Sequence, residues 1–278
     1  MIGGIELGGT KCVLAVANDP LDIISKKIIG TSTPEKTFSE IYSFFSNYPV
    51  KKLGVGSFGP IVLSSESEKY GIIVAESKDG WKDVNVVNYL ADICSDVSID
   101  TDVNAAAIGE YNYGLEDKYQ TLAYVTVGTG IGVGILLDGR PYRGNFHLEA
   151  GHMRIPNTNN YPGVCKFHGD CWEGLASGPS MKARWGIDPV ELPKDHEAWE
   201  IEAELLSLGL INIISNHSPD KIILGGGVMS QEHLLPMIRN NIAKIWNNFT
   251  PLVNLSNLIT KPVLGKDSGI IGSLSLVC

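Results

Sequence analysis

No apolar run in these 278 residues approaches the roughly 18 that a membrane-spanning helix needs. The opening MIGGIELGGTK carries neither a basic leader nor a small-residue cleavage site. A cytoplasmic protein is the expectation. No block of Lys or Arg occurs, and 31 acidic against 22 basic residues leave a formal net charge of −9. Nucleic acid and anionic membrane reward clustered positive charge, so a small-molecule partner fits better than either. Cysteine is sparse: five scattered residues, an odd number, do not make a disulfide framework. Of these, Cys12, Cys94 and Cys278 read as a strand residue, a helix residue and a chain end without special role.

What is present describes a globular chain, 44% hydrophobic and 19% charged, long enough for two core-bearing lobes. Ile2–Leu7 and Cys12–Ala17 read as strands joined by the turn Gly8-Gly9-Thr10-Lys11. Phe38–Ser46 and Val84–Ser95 carry helical periodicity, with strands at Lys52–Ser57 and Val97–Asp100. Asp102 heads an alanine-rich helix that also holds Asn104 and Glu110, both placed on its surface or at a cap. The pattern then restarts. Thr121–Val127, the turn Gly128-Thr129-Gly130-Ile131-Gly132 and Val133–Leu137 repeat strand, glycine turn, strand, which sets a lobe boundary near residues 114–120. Residues 145–180 look irregular. Ala198–Asn216 and Glu232–Phe249 read as helices around a strand at Lys221–Leu224 and a third turn, Gly225-Gly226-Gly227; Gly265–Leu276 reads as a final helix. Alternating strands and helices predict α/β architecture with mixed sheets flanked by helices.

Each glycine turn has two readings, a plain hairpin turn or a ring of backbone N–H groups converging on phosphate. Three of them, each directly after an apolar strand, favour phosphate. Gly128–Gly132 does not open a helix, so the dinucleotide fingerprint is excluded, and Gly8–Lys11 lacks Walker spacing. Asp102 reads as a helix N-cap; the positive helix end would also keep it ionised as a proton acceptor. Cys165-x-x-His168-x-x-Cys171 supplies three metal ligands on one loop, and His152 can close a tetrahedron. Four protein ligands make a structural zinc rather than a catalytic one, against the alternative of unpaired thiols and imidazoles in a reducing cell. Glu149 and Glu173 flank that loop. His147 and His196 read as ordinary surface or packing residues, and His217 as a helix C-terminal one.

The ordered set Gly4-Ile5-Glu6-Leu7-Gly8-Gly9-Thr10-Lys11, Gly56-Ser57-Phe58-Gly59-Pro60, Thr101-Asp102-Val103-Asn104-Ala105-Ala106-Ala107, Val127–Gly134, Glu149-Ala150-Gly151-His152-Met153, Cys165–Glu173 with Ser177-Gly178-Pro179, and Leu224–Val228 resembles the ROK family of bacterial sugar kinases and repressors, most of all its fructokinase branch. The resemblance implies a two-lobed actin-like, hexokinase-type (ribonuclease H-like) ATPase fold. It would place a smaller lobe at 1–115, completed by 266–278, and a larger lobe with the zinc loop and dimer surface at 116–265.

The resemblance further implies ATP-dependent phosphorylation of fructose, with mannose as a further acceptor. The alternatives are a kinase for another hexose or an N-acetylhexosamine, such as glucose or N-acetylmannosamine, and a sugar-binding regulator. A regulator would need a DNA-binding helix-turn-helix ahead of the first glycine turn. Asp102 would be the general base. Gly59, Pro60, Thr101, Asp102, Glu149, His152 and Glu173 would meet the sugar. Gly8, Gly9, Thr10, Lys11, Gly128, Thr129 and Gly130 would hold the phosphates of MgATP, with Pro179, Gly225, Gly226 and Gly227 beside the adenosine. His152, Cys165, His168 and Cys171 would hold zinc, and a homodimer is implied. Lobe closure would expel water that competes as acceptor. Three departures stand out: Thr101 where glucokinase-like relatives carry Asn, His168 where many members carry a thiolate, and Glu6 where the superfamily often places Asp.

Overall fold

The computed structural model describes residues 1–251 and 254–278. The chain begins with β1 (Ile2–Leu7), β2 (Lys11–Ala17), β3 (Ile23–Gly30), α1 (Pro34–Phe45), β4 (Lys52–Ser57), α2 (Val86–Leu90), β5 (Val97–Thr101) and α3 (Asp102–Gly109). It continues through β6 (Thr121–Val127), β7 (Ile131–Leu137), β8 (Arg140–Pro141), α4 (Trp172–Ala176), α5 (Gly178–Trp185), α6 (Ala198–His217) and β9 (Lys221–Gly225). The last elements are α7 (Leu234–Trp246), α8 (Leu255–Leu258), β10 (Ile259–Thr260) and α9 (Ser268–Ser275). Two compact units result. Met1–Lys118, Gly139–Leu148 and Val263–Cys278 form the first; Tyr119–Asp138 and Glu149–Pro262 form the second.

In the first unit the strand order is β3-β2-β1-β4-β5. The glycine turn folds β2 back antiparallel on β1, whereas α1 and α2 carry the chain across to parallel β4 and β5. Because β2 and β4 are apolar almost throughout, both of their faces can be covered, and the core holds Leu14, Leu53, Phe38 and Trp81 at or near zero exposure. Register has a direct consequence. Leu7 pairs with Ser57 and Ser57 with Thr101, so β1, β4 and β5 end side by side. The segments that follow, Gly8–Lys11, Phe58–Pro60 and Asp102, therefore leave the sheet along one edge. In the second unit β6 pairs antiparallel with β7 and parallel with β9, giving the order β10-β9-β6-β7. Thr126 lies opposite Gly225, which brings Gly128 and Gly226 out along one edge there too.

Several expectations shift. The helix expected over Val84–Ser95 is confined to Val86–Leu90: Asn85 caps it by accepting from Asn88 N–H, and the chain turns after Leu90, leaving Cys94 in a loop. Strand β3 lacks a clean alternation and exposes Ile24 and Ile28, so it forms because β2 offers an open edge. Residues 145–180 contain α4 and the start of α5 rather than irregular chain alone. The final helix opens with a tight turn at Gly265–Asp267 before α9 proper.

Small residues let α9 press onto α3. A Cβ on Gly272 would meet Ala105 O at 1.7 Å, and one on Gly109 would meet Ser268 O at 2.6 Å. The alanine run of α3 thus serves close helix contact within the first unit. Gly272→Ala must force these backbones apart and should destabilise the protein by about 1–3 kcal/mol, the usual cost of overpacking, as read from urea denaturation midpoints. An unchanged midpoint would contradict the contact.

Candidate functional site

At the strand edge of the first unit, Thr101 rather than Asp102 is the N-cap of α3. Its extended backbone lets Oγ1 accept from Asn104 N–H at 3.1 Å, while Asp102 is already the first helical residue. This corrects the expected capping role of Asp102. Its Oδ1 accepts from Val103 N–H at 2.9 Å. Burial pushes the Asp102 carboxyl up to about 7, the charge of Glu6 adds to the rise, and the Val103 N–H works against it. Glu6 itself is raised by burial, which Lys11 partly offsets, and its Oε2 is a buried atom without a hydrogen-bond partner. Lys11 belongs to the glycine turn, where Gly8 N–H donates to Lys11 O at 3.1 Å and Thr31 N–H to Thr10 O at 3.0 Å. A Cβ on Gly9 would meet nothing within 4 Å, so that turn presents open backbone.

Asn104 and Glu110 are not surface residues. Asn104 is buried and donates through Nδ2 to Asp100 Oδ1 at 2.8 Å. Glu110, fully buried, accepts from Val263 N–H, Leu264 N–H and Ser268 Oγ. His147 is buried as well: its Nε2 accepts from Ile61 N–H at 3.0 Å, next to Gly59 and Pro60, and burial lowers its pKa. Arg143, which carries no sequence signal of its own, pairs with Asp100.

In the second unit the four sequence-predicted ligands converge. One donor atom each of His152, Cys165, His168 and Cys171 lies within 4.8 Å of the others. His152 Nδ1 stands 3.7 Å from Cys165 Sγ and 3.5 Å from Cys171 Sγ, and His168 Nδ1 is 3.7 Å from Cys165 Sγ. A tetrahedral zinc with the usual Zn–S and Zn–N lengths sets S···N separations of about 3.5 Å, so this donor set fits it. The loop reverses at Gly169, which has φ +63°. Cys165 and Gly169 exchange backbone hydrogen bonds across that turn. Glu149 Oε2 lies 4.0 Å from His152 Nε2, and Glu173 Oε1 lies 3.9 Å from Nδ1. The other oxygen of Glu173 accepts from Ile131 N–H at 3.0 Å, and a Cβ on Gly130 would collide with it at 2.5 Å.

The two glycine turns of this unit meet the start of α5. Gly178 N–H donates to Gly128 O at 2.8 Å, and a Cβ on Gly128 would find Gly227 N at 3.9 Å. Gly226, at φ +95°, packs against Val127 backbone where no side chain fits. Pro179 occupies the first turn of α5, capped by Ser177. Gly128, Pro179 and Gly225–Gly227 are therefore neighbours.

The ROK family model matches residues 2–278. The chain belongs to the ROK family. A fructokinase of Lactococcus lactis subsp. cremoris is 40% identical over 90% of this chain and 87% of its own. One of Pediococcus pentosaceus is 36% identical over 99% and 97%. Among solved structures, a ROK family glucokinase from Streptomyces griseus in complex with glucose and AMPPNP superposes with TM-score 0.79 at 23% identity, covering 99% of this chain and 98% of that one. This ROK protein thus has the actin-like sugar-kinase fold, two mixed sheets flanked by helices. Among the described residues no helix is long and apolar enough to cross a membrane.

The raised Asp102 carboxyl makes a signed prediction. Its folded pKa of about 7 exceeds the ordinary 3.8, so the folded state holds this proton more tightly than the unfolded chain. Its contribution to stability is fully present below 3.8 and is lost as pH rises through about 7. Asp102→Asn mimics the neutral form. Its melting temperature should exceed that of the parent by a margin that opens between these pH values and stays constant above them; a margin independent of pH would show that Asp102 is not raised.

Proposed function

We propose that this ROK protein transfers the γ-phosphoryl group of MgATP to fructose, giving fructose 6-phosphate, and accepts mannose as a second sugar. The observation that carries the reading is the Asp102 carboxyl at the edge where β1, β4 and β5 end, raised to about 7 by burial and by Glu6. A general base works best when its pKa lies near the operating pH. Its capping work is done by Thr101, so the carboxylate is left to take the sugar proton as the hydroxyl oxygen attacks phosphorus. The choice of fructose is supported by the relatives at 36–40% identity that bear the name fructokinase.

In this reading Gly59, Pro60 and Thr101 line the sugar, and Glu149, His152 and Glu173 bind its hydroxyls. Gly8, Gly9, Thr10 and Lys11 hold phosphate, as do Gly128, Thr129 and Gly130. Pro179 and Gly225–Gly227 border the adenosine. Mg²⁺ bound with ATP neutralises charge on the transferring group, and alignment supplies most of the remaining acceleration. The zinc loop would be structural: His152, Cys165, His168 and Cys171 would supply four protein ligands and leave no position for water. The Nδ1 of His152, beside both thiols, would serve the metal while Nε2 lies toward Glu149, so one ring would join the loop to the hydroxyl-binding carboxylates. A cytoplasmic homodimer completes the proposal, on the family resemblance.

A coupled ADP-release screen over fructose, mannose, glucose and N-acetylmannosamine tests the substrate. Turnover on fructose is expected to lead; turnover on glucose with none on fructose overturns the assignment. In the same assay Asp102→Asn should lose on the order of a hundredfold or more in kcat, and undiminished turnover would remove Asp102 from the base role. Elemental analysis of protein purified without chelator should find about one zinc per chain, falling to near zero in Cys171→Ser.

A further inference from the structure

The segment Gly139–Leu148 leaves β7 and joins the first unit, where two of its side chains reach the corner that carries Asp102. Arg143 Nη2 donates to Asp100 Oδ2. The Asp100 side chain is 3% exposed and that of Arg143 38%, so a buried carboxylate meets a cation that reaches in from solvent. The other Asp100 oxygen accepts from Thr101 N–H and from Asn104 Nδ2, both at 2.8 Å. Asp100 therefore fastens the last residues of β5, the cap residue and the first turn of α3, with Asp102 between its anchors. Four residues after Arg143, His147 accepts from Ile61 N–H beside Pro60. A buried negative charge left without its partner raises a carboxyl nearby, and a cation left without its partner lowers it.

We propose that Arg143 is a positioning residue for phosphoryl transfer: by pairing with Asp100 it holds the corner between β5 and α3 and cancels the one negative charge closest in sequence to Asp102. The proposal rests on Asp102 being the general base. Other ionisable groups around the corner are Glu6 from β1, His147 from the same segment as Arg143, and Arg140 in β8. Lys11, Asp267 and Lys26 act on Glu6. Glu110, past the end of α3, is held by Val263, Leu264 and Ser268. Strand β4 brings only Lys52, at its far end, and α9 carries no titratable side chain. Arg143 and Asp100 are a pair of opposite sign that also acts on His147, Asp100 raising it and Arg143 lowering it, and their charges can be removed one at a time.

The test is kcat/KM for fructose against pH in the parent, Arg143→Met, Arg143→Lys, Asp100→Asn and the double variant Arg143→Met/Asp100→Asn. Arg143→Met leaves the Asp100 charge uncompensated, so the acid limb should move up by about half a pH unit or more. Asp100→Asn keeps the hydrogen-bonding shape but leaves the cation alone, so the limb should move down. The double variant should return close to the parent limb, and Arg143→Lys should keep it. Single-variant limbs that stay in place, or that move in the same direction, overturn the proposal. Should Arg143→Met fail to fold, the downward shift in Asp100→Asn still decides it. Asp102→Asn run in parallel separates the two failures: if it retains full turnover, the base assignment is wrong; if it is inactive while the limbs do not move, only the role of Arg143 is wrong.

Discussion

The parallel register of β1, β4 and β5 is the constraint from which the first unit's chemistry follows. Leu7, Ser57 and Thr101 lie abreast because each strand is buried on both faces and packs in only one register; a slip by one residue would turn every side chain to the opposite face. Once that register is set, the glycine turn, the Gly59–Pro60 bend and the head of α3 have no choice of edge. The carboxyl ends of parallel strands are where open α/β sheets collect ligands, and this sheet gathers backbone donors, a cation and two carboxylates there.

Polar burial at that edge is divided among neighbours rather than concentrated. Thr101 satisfies the free N–H group of α3, Asn104 bonds Asp100, and Glu110 satisfies the chain where it enters α9. At this edge Glu6 and Asp102 are left with carboxyls raised by desolvation, and Glu6 has no partner for one oxygen. Unsatisfied charge is costly in a fold's interior, and the same cost recurs in the second unit at Glu202, fully buried and raised well above the usual carboxylate range. Also in the second unit, Glu149 and Glu173 flank the two ring nitrogens of a single imidazole, His152, at 4.0 and 3.9 Å.

What was legible from sequence was whatever local spacing dictates. The strands β1, β4, β6 and β9, the three glycine turns and the quartet of His152, Cys165, His168 and Cys171 all follow from residues a few positions apart. Features decided by distant partners were not. Asp102 looked like a cap because Asp often is one, but Thr101, β-branched and with an extended backbone, took that place. Asn104 and Glu110 read as surface or capping residues and His147 as a surface or packing one; each is buried, Asn104 on Asp100 at the end of β5, Glu110 on Leu264 beyond 150 residues, and His147 on Ile61 across 86. Strand β3 showed no clean alternation because it is largely solvated, Ile29 being its one buried residue, and its existence is owed to the free edge of β2.

The close contact of α3 with α9 also bears on the order of assembly. The two helices are separated along the chain by the whole of the second unit, so ribosomal synthesis delivers α3 long before the partner that its glycine and alanine backbone awaits. Bridging so long an intervening stretch is entropically slow. A nascent chain therefore leaves the apolar back of the Asp102 helix uncovered until translation has passed α9.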